Sequence, residues 1–330
     1  MRIDSSAPTR IDLAGGTFDI WPLYLFHDRA QTINAAISLR AHCTITSRRD
    51  YRIVLISEDT GDMVDVADPQ ALDNSELPLI ARLVRFFGAR PVEVRTHAES
   101  PVGAGIAGSS AMNVAVIGAL AAWTGRPLGD EDLLTVAMNI EAQVLGVPTG
   151  AQDYRPALYG GIAAIELGVR GVSREPLHVD PAELERRLVL AYTGASRNSG
   201  INNWDVMVRR INGDAAIIEA FDAIRDAAIG LREAIELQDW RGVALCLSAE
   251  WHARKRLAPG VTTREIDAFI ERARFAGALA AKVCGAGGGG CLVCLTDPDR
   301  RSAVATALAN GGATVLPFQI ERTGLEVRRS

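Results

Sequence analysis

A glycine-rich segment that leads directly into an apolar helix is the feature that most constrains this chain. Residues 103–108 read GAGIAG, follow a predicted strand and precede a helix predicted over residues 110–123. The helix is apolar on all sides, so it must be buried. Glycine lets backbone amides approach an anion, and a helix N-terminus carries about half a positive charge. The sequence therefore predicts an anion-binding loop, with a plain tight turn as the alternative.

The residues around the glycines favour a triphosphate over a dinucleotide. A dinucleotide-binding domain needs a strand ending in an acid about 20 residues later, whereas the acids at residues 130–132 begin a predicted helix. A Walker A loop needs a lysine after its last glycine, where this chain has two serines instead. Their hydroxyls suit phosphate and Mg²⁺ oxygens. The predicted nucleotide-binding residues are Gly103, Ala104, Gly105, Gly108, Ser109 and Ser110.

One carboxylate lies on the apolar side of the next helix. In the helix predicted over residues 131–145, Glu141 falls in the middle of an apolar stripe at helical spacing. An unpaired buried carboxylate would cost on the order of several kcal/mol, so it requires a cation. Beside a phosphate loop we expect Mg²⁺, held by Glu141 and Ser110, with a structural salt bridge of Glu141 as the alternative.

Three further polar residues are candidates on weaker grounds. Asp153 lies in a loop expected to return toward the phosphate site, where a carboxylate could orient or deprotonate an attacking hydroxyl. A capping role in a turn is the alternative for Asp153. Arg10 and Asp19 flank a turn-like segment, AGG, near the N-terminus. A solvent-exposed strand residue is the alternative for Arg10, and a helix cap or turn for Asp19.

A second glycine run, GAGGGG at residues 285–290, lies between two apolar segments. Because a hairpin needs only two glycines, we expect this run to approach a ligand or close over it, with a generous turn as the alternative. Cys291 and Cys294 then form a CxxC pair in an apolar strand, which favours core packing over redox or zinc chemistry. The five histidines show no ligand spacing, so we assign no metal site to them.

Composition excludes several classes of partner and location. The net charge is −5, which gives no basic surface for nucleic acid. No apolar stretch reaches the roughly 18 residues that a membrane helix needs, and the charged N-terminus does not read as a signal peptide. Five cysteines at low density do not indicate a disulfide framework. We expect a cytoplasmic protein that acts on a small molecule, as a monomer or homodimer.

Helices and strands mix in both halves of the sequence, which predicts an α+β protein with two domains. The charged segment over residues 169–187 has the most linker-like composition. We therefore place an N-terminal domain at residues 1–180 and a C-terminal domain at residues 181–330.

Three segments, in this order, resemble the motifs of the GHMP kinases, the superfamily of galactokinase, homoserine kinase, mevalonate kinase and phosphomevalonate kinase. They read PTRIDLAGG from Pro8, PVGAGIAGSSA from Pro101 and KVCGAGGGGCL from Lys282. Within the superfamily, AGGTFD, QDYRPALYGG and the spacing from Glu141 to Asp153 are most similar to the sugar kinases related to D-glycero-D-manno-heptose 7-phosphate kinase and the L-fucokinase kinase domain. Those enzymes phosphorylate an anomeric hydroxyl.

The resemblance implies an N-terminal domain of the ribosomal S5 domain 2-like type and a ferredoxin-like C-terminal domain, with ATP and sugar between them. It assigns Mg²⁺ to Ser110 and Glu141, and activation of the sugar hydroxyl to Asp153 with Arg10. The substrate-binding residues that it implies are Asp19, Gly16, Tyr159, Arg197, Gly287 and Gly288.

Two positions depart from the family pattern. The relatives usually have a small hydroxyl residue where this chain has Phe18, so we expect a bulky ring in the sugar-side wall. They usually have glycine where this chain has Ala107, and an alanine can be accommodated there if its φ is negative.

Together these features predict an ATP-dependent kinase that phosphorylates a hydroxyl, expected to be anomeric, of a sugar or sugar phosphate such as a heptose 7-phosphate. Two alternatives remain open at this point. One is a GHMP kinase acting on a mevalonate-type or amino-acid alcohol, and the other is a non-catalytic ligand-binding regulator with the same fold.

Overall fold

The computed structural model describes residues 1–195 and 201–330, the side chains of residues 201 and 202 excepted. Its first elements are β1 (Arg2–Ala14), β2 (Gln31–Ser47), β3 (Ile53–Ser57), β4 (Met63–Val66), α1 (Pro78–Phe87), β5 (Val92–Ala98), α2 (Gly108–Thr124), α3 (Asp130–Leu145), α4 (Tyr154–Tyr159), β6 (Ile162–Gly168) and β7 (Gly171–Pro176). The later elements are α5 (Pro181–Arg187), β8 (Leu188–Tyr192), α6 (Ile201–Ile211), α7 (Ala215–Glu236), α8 (Trp240–Arg254), α9 (Arg264–Phe275), β9 (Ala278–Val283), β10 (Cys291–Thr296), α10 (Arg301–Asn310), β11 (Thr314–Val315) and β12 (Glu326–Arg329). This mixture confirms the α+β class.

Two sheets organise the described residues. The larger has eight strands in the order β12-β1-β2-β5-β3-β4, with β6 pairing with the first part of β2 and β7 pairing with β6. Its pairs are antiparallel except that of β3 with β5. The smaller sheet has the order β11-β8-β10-β9 and is antiparallel throughout. Strand β1 carries Arg10, and the second glycine run follows β9, so each sheet leads to a set of candidate residues.

Helix α2 forms the centre of the core that packs against the eight-stranded sheet, as its apolar sequence predicts. We call this the first core. Each residue from 110 to 120 is buried, and the helix packs on β1 and β2 and against α1, α3 and α4. It ends at Gly125, whose left-handed backbone caps the helix. The loop before α2 is therefore attached to a rigid core element.

The segment over residues 169–187 is not the linker that its composition predicts. It contains β7, which pairs with β6 from Gly171 opposite Gly168 to Pro176 opposite Ala163. It also contains α5, which begins at Pro181 after Asp180 caps the amide of Ala182. Apolar residues spaced among the charges, such as Leu184, are buried and account for the order.

The last residues of the chain return to the first sheet. Strand β12 pairs with β1, and Ile320 forms a bridge with Ile37 of β2. A side chain at Gly118 of α2 would lie 2.9 Å from the methyl groups of Leu325, so this glycine makes room for the returning segment. The division at residue 180 stays a prediction, and β12 lies with the first part of the chain.

The fold also bears on two smaller predictions, one about membrane helices and one about the CxxC pair. Within the described ranges no helix is both long and apolar enough to cross a membrane. Cys291 and Cys294 are buried in β10, and both are free cysteines. The CxxC pair therefore belongs to the core of the second sheet.

Candidate active site

The loop before α2 uses left-handed backbone at alternate positions. Gly103, Gly105 and Ala107 have φ values of 71°, 73° and 62°. Alanine in this conformation costs roughly 1–2 kcal/mol, so the condition of a negative φ, under which an alanine is easily accommodated, is not met at Ala107. The reason is geometric, because the chain must turn sharply there to enter a helix that is fixed in the core.

Glu141 projects from α3 onto the start of α2. It is only 5% exposed, and it accepts hydrogen bonds from the hydroxyls of Ser109 at 2.6 Å, Ser110 at 3.0 Å and Tyr154 at 2.7 Å. Burial raises the pKa of Glu141, while these hydroxyl donors partly oppose the rise. Among the described residues Glu141 forms no ion pair, so a structural salt bridge does not account for it. A buried carboxylate with neighbouring serine oxygens and no protein cation is a donor set that suits Mg²⁺.

Arg10 connects β1 to the phosphate loop and to the start of α4. Its Nη2 and Nε donate to Asp153 Oδ1 at 2.6 and 3.0 Å, and its Nη1 donates to the carbonyl of Gly105 at 2.9 Å. The Arg10 side chain is 2% exposed and that of Asp153 28%. Arg10 is thus not a solvent-exposed strand residue, and the Asp153 side chain forms an ion pair rather than a helix cap. The accessible carboxylate faces the loop region with a fixed cation behind it.

These groups meet in one cavity of about 470 Å³. Its lining includes Arg10, residues 103–105 and 107–110, Glu141 and Asp153. Further lining comes from β5 and α1, including Thr96 and Leu79. The cavity therefore combines a phosphate-type loop, a carboxylate suited to a divalent cation and a carboxylate suited to a hydroxyl.

Asp19 is buried next to the Asp153 segment. It is 3% exposed, and its Oδ2 accepts a hydrogen bond from the amide of Gln152 at 2.9 Å. A side chain at Gly150 would overlap the Asp19 carboxylate, so this glycine permits the close approach. Burial, together with the negative charge of Asp153, raises the pKa of Asp19 to about 7.

Phe18 does not form the sugar-side wall that the sequence predicts. Its ring is fully buried and lies 4.9 Å from the ring of Phe221 and 5.1 Å from that of His27. The large apolar ring is more stable in this core cluster than against an open site. Phe18 therefore has a structural role in this core cluster.

The second glycine run approaches the phosphate loop at its end. The amide of Cys291 donates to the carbonyl of Ala104 at 2.7 Å, and a side chain at Gly290 would lie 2.6 Å from that oxygen. Gly287 and Gly288 instead pack on Val261, and neither lines the cavity. Their predicted contact with substrate stays a prediction.

Of the other predicted substrate residues, Gly16 and Tyr159 each contact an arginine side chain. The carbonyl of Gly16 accepts a hydrogen bond from Arg254 at 3.0 Å. Tyr159 lies at the far end of α4, with the Arg174 guanidinium 5.4 Å from its ring, and it does not line the cavity. Arg197 falls outside the described residues.

Sequence reasoning missed two side chains that the structure adds. Tyr154 donates to Glu141, and Arg254 contacts the loop after β1. Tyr154 stands directly after Asp153, but the sequence carries no signal that its hydroxyl turns toward α3. Arg254 lies about 240 positions after that loop, a separation that pattern reasoning cannot bridge.

We expect Phe18→Ala to lower the free energy of unfolding by about 3–5 kcal/mol, because it leaves a cavity in a packed core. Urea unfolding followed by circular dichroism measures the change. The control is Phe275→Ala, since Phe275 is 93% exposed, and this change should cost less than about 0.5 kcal/mol. Equal stability of the two variants would contradict the burial of Phe18.

The Asp19 carboxyl should make the protein less stable as the pH rises. Its pKa is about 7 in the folded protein against an ordinary value of 3.8, so the folded state binds more protons between these values. The stability that Asp19 contributes is therefore present below pH 3.8 and is lost as the pH rises toward 7. Over this range the free energy of unfolding should fall by at most about 1.4 kcal/mol per pH unit.

Asp19→Asn should remove that slope, so the stability difference between variant and wild type should grow with pH. Chemical denaturation at a series of pH values measures it. The control is Asp299→Asn, because the Asp299 side chain is 76% exposed. A constant difference between wild type and Asp19→Asn from pH 4 to 7 would show that the pKa of Asp19 is not raised.

Comparisons with known proteins agree with this geometry. The family model for the GHMP kinases N terminal domain matches residues 77–161, and that for the GHMP kinases C terminal matches residues 231–314. The D-glycero-alpha-D-manno-heptose 7-phosphate kinase of Campylobacter jejuni is 31% identical over 335 residues, covering 98% of each chain. The mevalonate kinase of Thermococcus gammatolerans is 28% identical over 348 residues, covering 99% of this chain and 98% of that one.

A solved structure shows the same similarity across the whole fold. The crystal structure of a D-glycero-D-manno-heptose 1-phosphate kinase from Bacteroides thetaiotaomicron has a TM-score of 0.80 with 28% identity, covering 99% of both chains. The resemblance in three sequence motifs and the two-domain fold are thus confirmed. The chain belongs to the GHMP kinases.

Proposed function

We propose that this chain is an ATP-dependent kinase that transfers the γ-phosphoryl group to a hydroxyl of a sugar phosphate. The observation that supports this best is the single cavity that holds the phosphate-type loop, Glu141 and the Arg10–Asp153 pair. Phosphoryl transfer needs positioning and charge neutralisation more than covalent chemistry, and these groups supply both.

Asp153 and Arg10 would act on the acceptor hydroxyl. The exposed side of the Asp153 carboxylate would hold the hydroxyl in line with the γ-phosphate and accept its proton. Arg10 fixes that carboxylate by two hydrogen bonds and places positive charge beside the phosphate loop through Gly105. Backbone amides at the start of α2 would contact the phosphate oxygens.

Ser110 and Glu141 would hold Mg²⁺. When bound, this ion neutralises charge on the phosphates and orients them. Ser109 and Tyr154 already donate to the Glu141 carboxylate and so fix its orientation. A divalent cation would provide the charge partner that Glu141 lacks among the described residues.

The acceptor we propose is a heptose phosphate, phosphorylated at its anomeric hydroxyl. The name of the Campylobacter jejuni relative supports the substrate class, and the similarity of the AGGTFD segment to sugar kinases supports the hydroxyl. Asp19 would accept hydrogen bonds from other sugar hydroxyls. A mevalonate-type alcohol has less support, since the mevalonate kinase of Thermococcus gammatolerans is less similar over the full length than the Campylobacter jejuni relative. The cytoplasmic location, the monomeric or homodimeric state and the absence of a nucleic-acid partner stay predictions.

A panel of acceptors tests the substrate class. The protein is incubated with ATP and Mg²⁺ and with heptose phosphates, unphosphorylated sugars, mevalonate or homoserine, and products are identified by mass spectrometry. We expect a new phosphate on a heptose phosphate only. A phosphorylated alcohol instead would support the mevalonate-type alternative, and nucleotide binding without any transfer would support a non-catalytic regulator.

Asp153→Asn should lower kcat by roughly 10²- to 10⁴-fold while ATP affinity stays nearly unchanged. The physical reason is that the amide keeps the shape of the side chain but cannot accept the proton. ADP release and calorimetric ATP binding measure the two quantities. Unchanged turnover would remove Asp153 from the mechanism.

Glu141→Gln should weaken the Mg²⁺ dependence of ATP binding by about tenfold or more, because the neutral amide cannot balance a divalent charge. Titration of ATP binding with Mg²⁺ measures it. The control is Asp132→Asn, an exposed carboxylate in the first turn of the same helix. If Glu141→Gln and the control give the same titration, Glu141 does not hold the ion.

A further inference from the structure

Four buried charged side chains lie behind the candidate site without lining its cavity. Asp12 of β1, Glu250 and Arg254 of α8 and Lys282 of β9 are each at most 1% exposed. Lys282 Nζ lies 3.1 Å from Glu250 Oε2 and 3.4 Å from Asp12 Oδ1, and the Arg254 guanidinium pairs with Glu250. This buried charge cluster connects β1 of the eight-stranded sheet, helix α8 and β9 of the four-stranded sheet.

Stability alone does not account for the buried charge cluster. Moving an ion out of water costs on the order of several kcal/mol, and well-packed apolar residues of similar volume often stabilise as much or more. Asp12 lies 3.4 Å from Lys282 and 3.9 Å from Arg254, which is longer than a good hydrogen bond. The arrangement is better explained by the two loops that Arg254 binds, one at Gly16 and Thr17 and one at Gly285.

Arg254 contacts two separate loops. Its Nη2 donates to the carbonyl of Gly16 at 3.0 Å, and its Nη1 donates to Thr17 Oγ1 at 3.1 Å and to the carbonyl of Gly285 at 3.2 Å. Its Nε and Nη2 also donate to Glu250. A guanidinium has five N–H donors in a fixed plane, so it can bind these acceptors at once, whereas a lysine ammonium cannot match that geometry.

The loop after β1 packs tightly against the Arg254 side chain. A side chain at Gly16 would lie 2.6 Å from Asp12 Oδ2, 2.9 Å from Arg254 Nη2 and 3.0 Å from Gln152 Nε2. Thr17 has a φ of 73°, an uncommon conformation for a β-branched residue. The hydrogen bonds from Arg254 to this loop stabilise a backbone that the sequence alone does not favour.

Both loops that Arg254 contacts reach residues beside the cavity, although Thr17, Asp19 and Gly285 do not themselves line it. Asp19 follows Thr17 by two residues and is held from the other side by the amide of Gln152. Gly285 begins the second glycine run, which ends where Cys291 donates to the carbonyl of Ala104 in the phosphate loop. The Arg254 guanidinium therefore lies where the segment carrying Asp19 meets the second glycine run.

We propose that Arg254 is a positioning residue for the acceptor side of the site. It fixes the segment over residues 16–19 against the second glycine run, so that Asp19 is in place before the acceptor binds. Glu250, Lys282 and Asp12 hold Arg254 in turn. The nucleotide side depends instead on α2 and Glu141. This proposal rests on the proposed function, because it takes Asp19 to contact the sugar.

The test is Arg254→Lys in the full chain, assayed with the acceptor that the wild type phosphorylates. Lysine keeps the charge that balances Glu250 but loses the bonds to the two loops. We expect the KM for the acceptor to rise about tenfold or more while the Kd for ATP with Mg²⁺ changes less than about twofold. Calorimetry with the nucleotide alone gives the second value independently of activity.

Arg40→Lys is the matched control. Arg40 also binds backbone carbonyls, those of Ser6 at 3.0 Å and Gly324 at 2.6 Å, but neither residue belongs to the two loops that Arg254 contacts. The Arg40→Lys variant should lose thermal stability, but its KM for the acceptor should not change selectively. An acceptor KM of Arg254→Lys that matches the wild type, or a parallel loss of nucleotide and acceptor affinity, would overturn the positioning role.

A second pair of variants decides the question if Arg254→Lys does not fold. Thr17→Ala removes only the hydroxyl that accepts from Arg254, and Thr17→Ser keeps it. We expect the acceptor KM to rise more for the alanine than for the serine, and equal values in the two would overturn the proposal. If the wild type phosphorylates no acceptor of the panel, the proposed function fails, a result distinct from either outcome.

Discussion

The candidate site depends on one buried side chain, that of Arg10. From β1 its guanidinium reaches both the carbonyl of Gly105 in the phosphate loop and the carboxylate of Asp153 at the start of α4. A guanidinium keeps its charge, and at 2% exposure it has little access to water. Its donors must therefore be satisfied by these acceptors. The separation between the glycine loop at residues 103–108 and the Asp153 carboxylate is consequently set by β1, a strand of the eight-stranded sheet.

Much of this arrangement could be predicted from short sequence patterns because those patterns are backbone requirements. Glycines at 103 and 105 adopt the left-handed conformation that the loop needs, and an apolar helix follows that only a core can accommodate. Glu141 was predicted to point inward because helical spacing fixes the direction of a side chain. The order of three motifs then identified the family. The inferences on the loop and on Glu141 each use information contained within about 15 neighbouring residues, whereas the family inference uses the order of motifs along the chain.

Other features depend on residues far apart in the chain and could not be predicted. Whether Phe18 faces the site or the core depends on Phe221, about 200 residues later, which supplies the packing surface. The left-handed backbone of Ala107 is imposed by the fixed position of α2, against the preference of alanine. The segment over residues 169–187 is ordered because β6 offers an edge for β7 to pair with, although its composition resembles a linker.

The first turn of α2 begins without a side-chain cap. Ala107 cannot provide one, and the hydroxyls of Ser109 and Ser110 point to Glu141 and leave the helix amides alone. An anion bound there would accept hydrogen bonds from those amides. Its binding would therefore link local order at the helix start to ligand occupancy. Since the same helix passes through the middle of the first core, filling the loop would slow the opening of amides many ångströms away, so occupancy and global rigidity rise together.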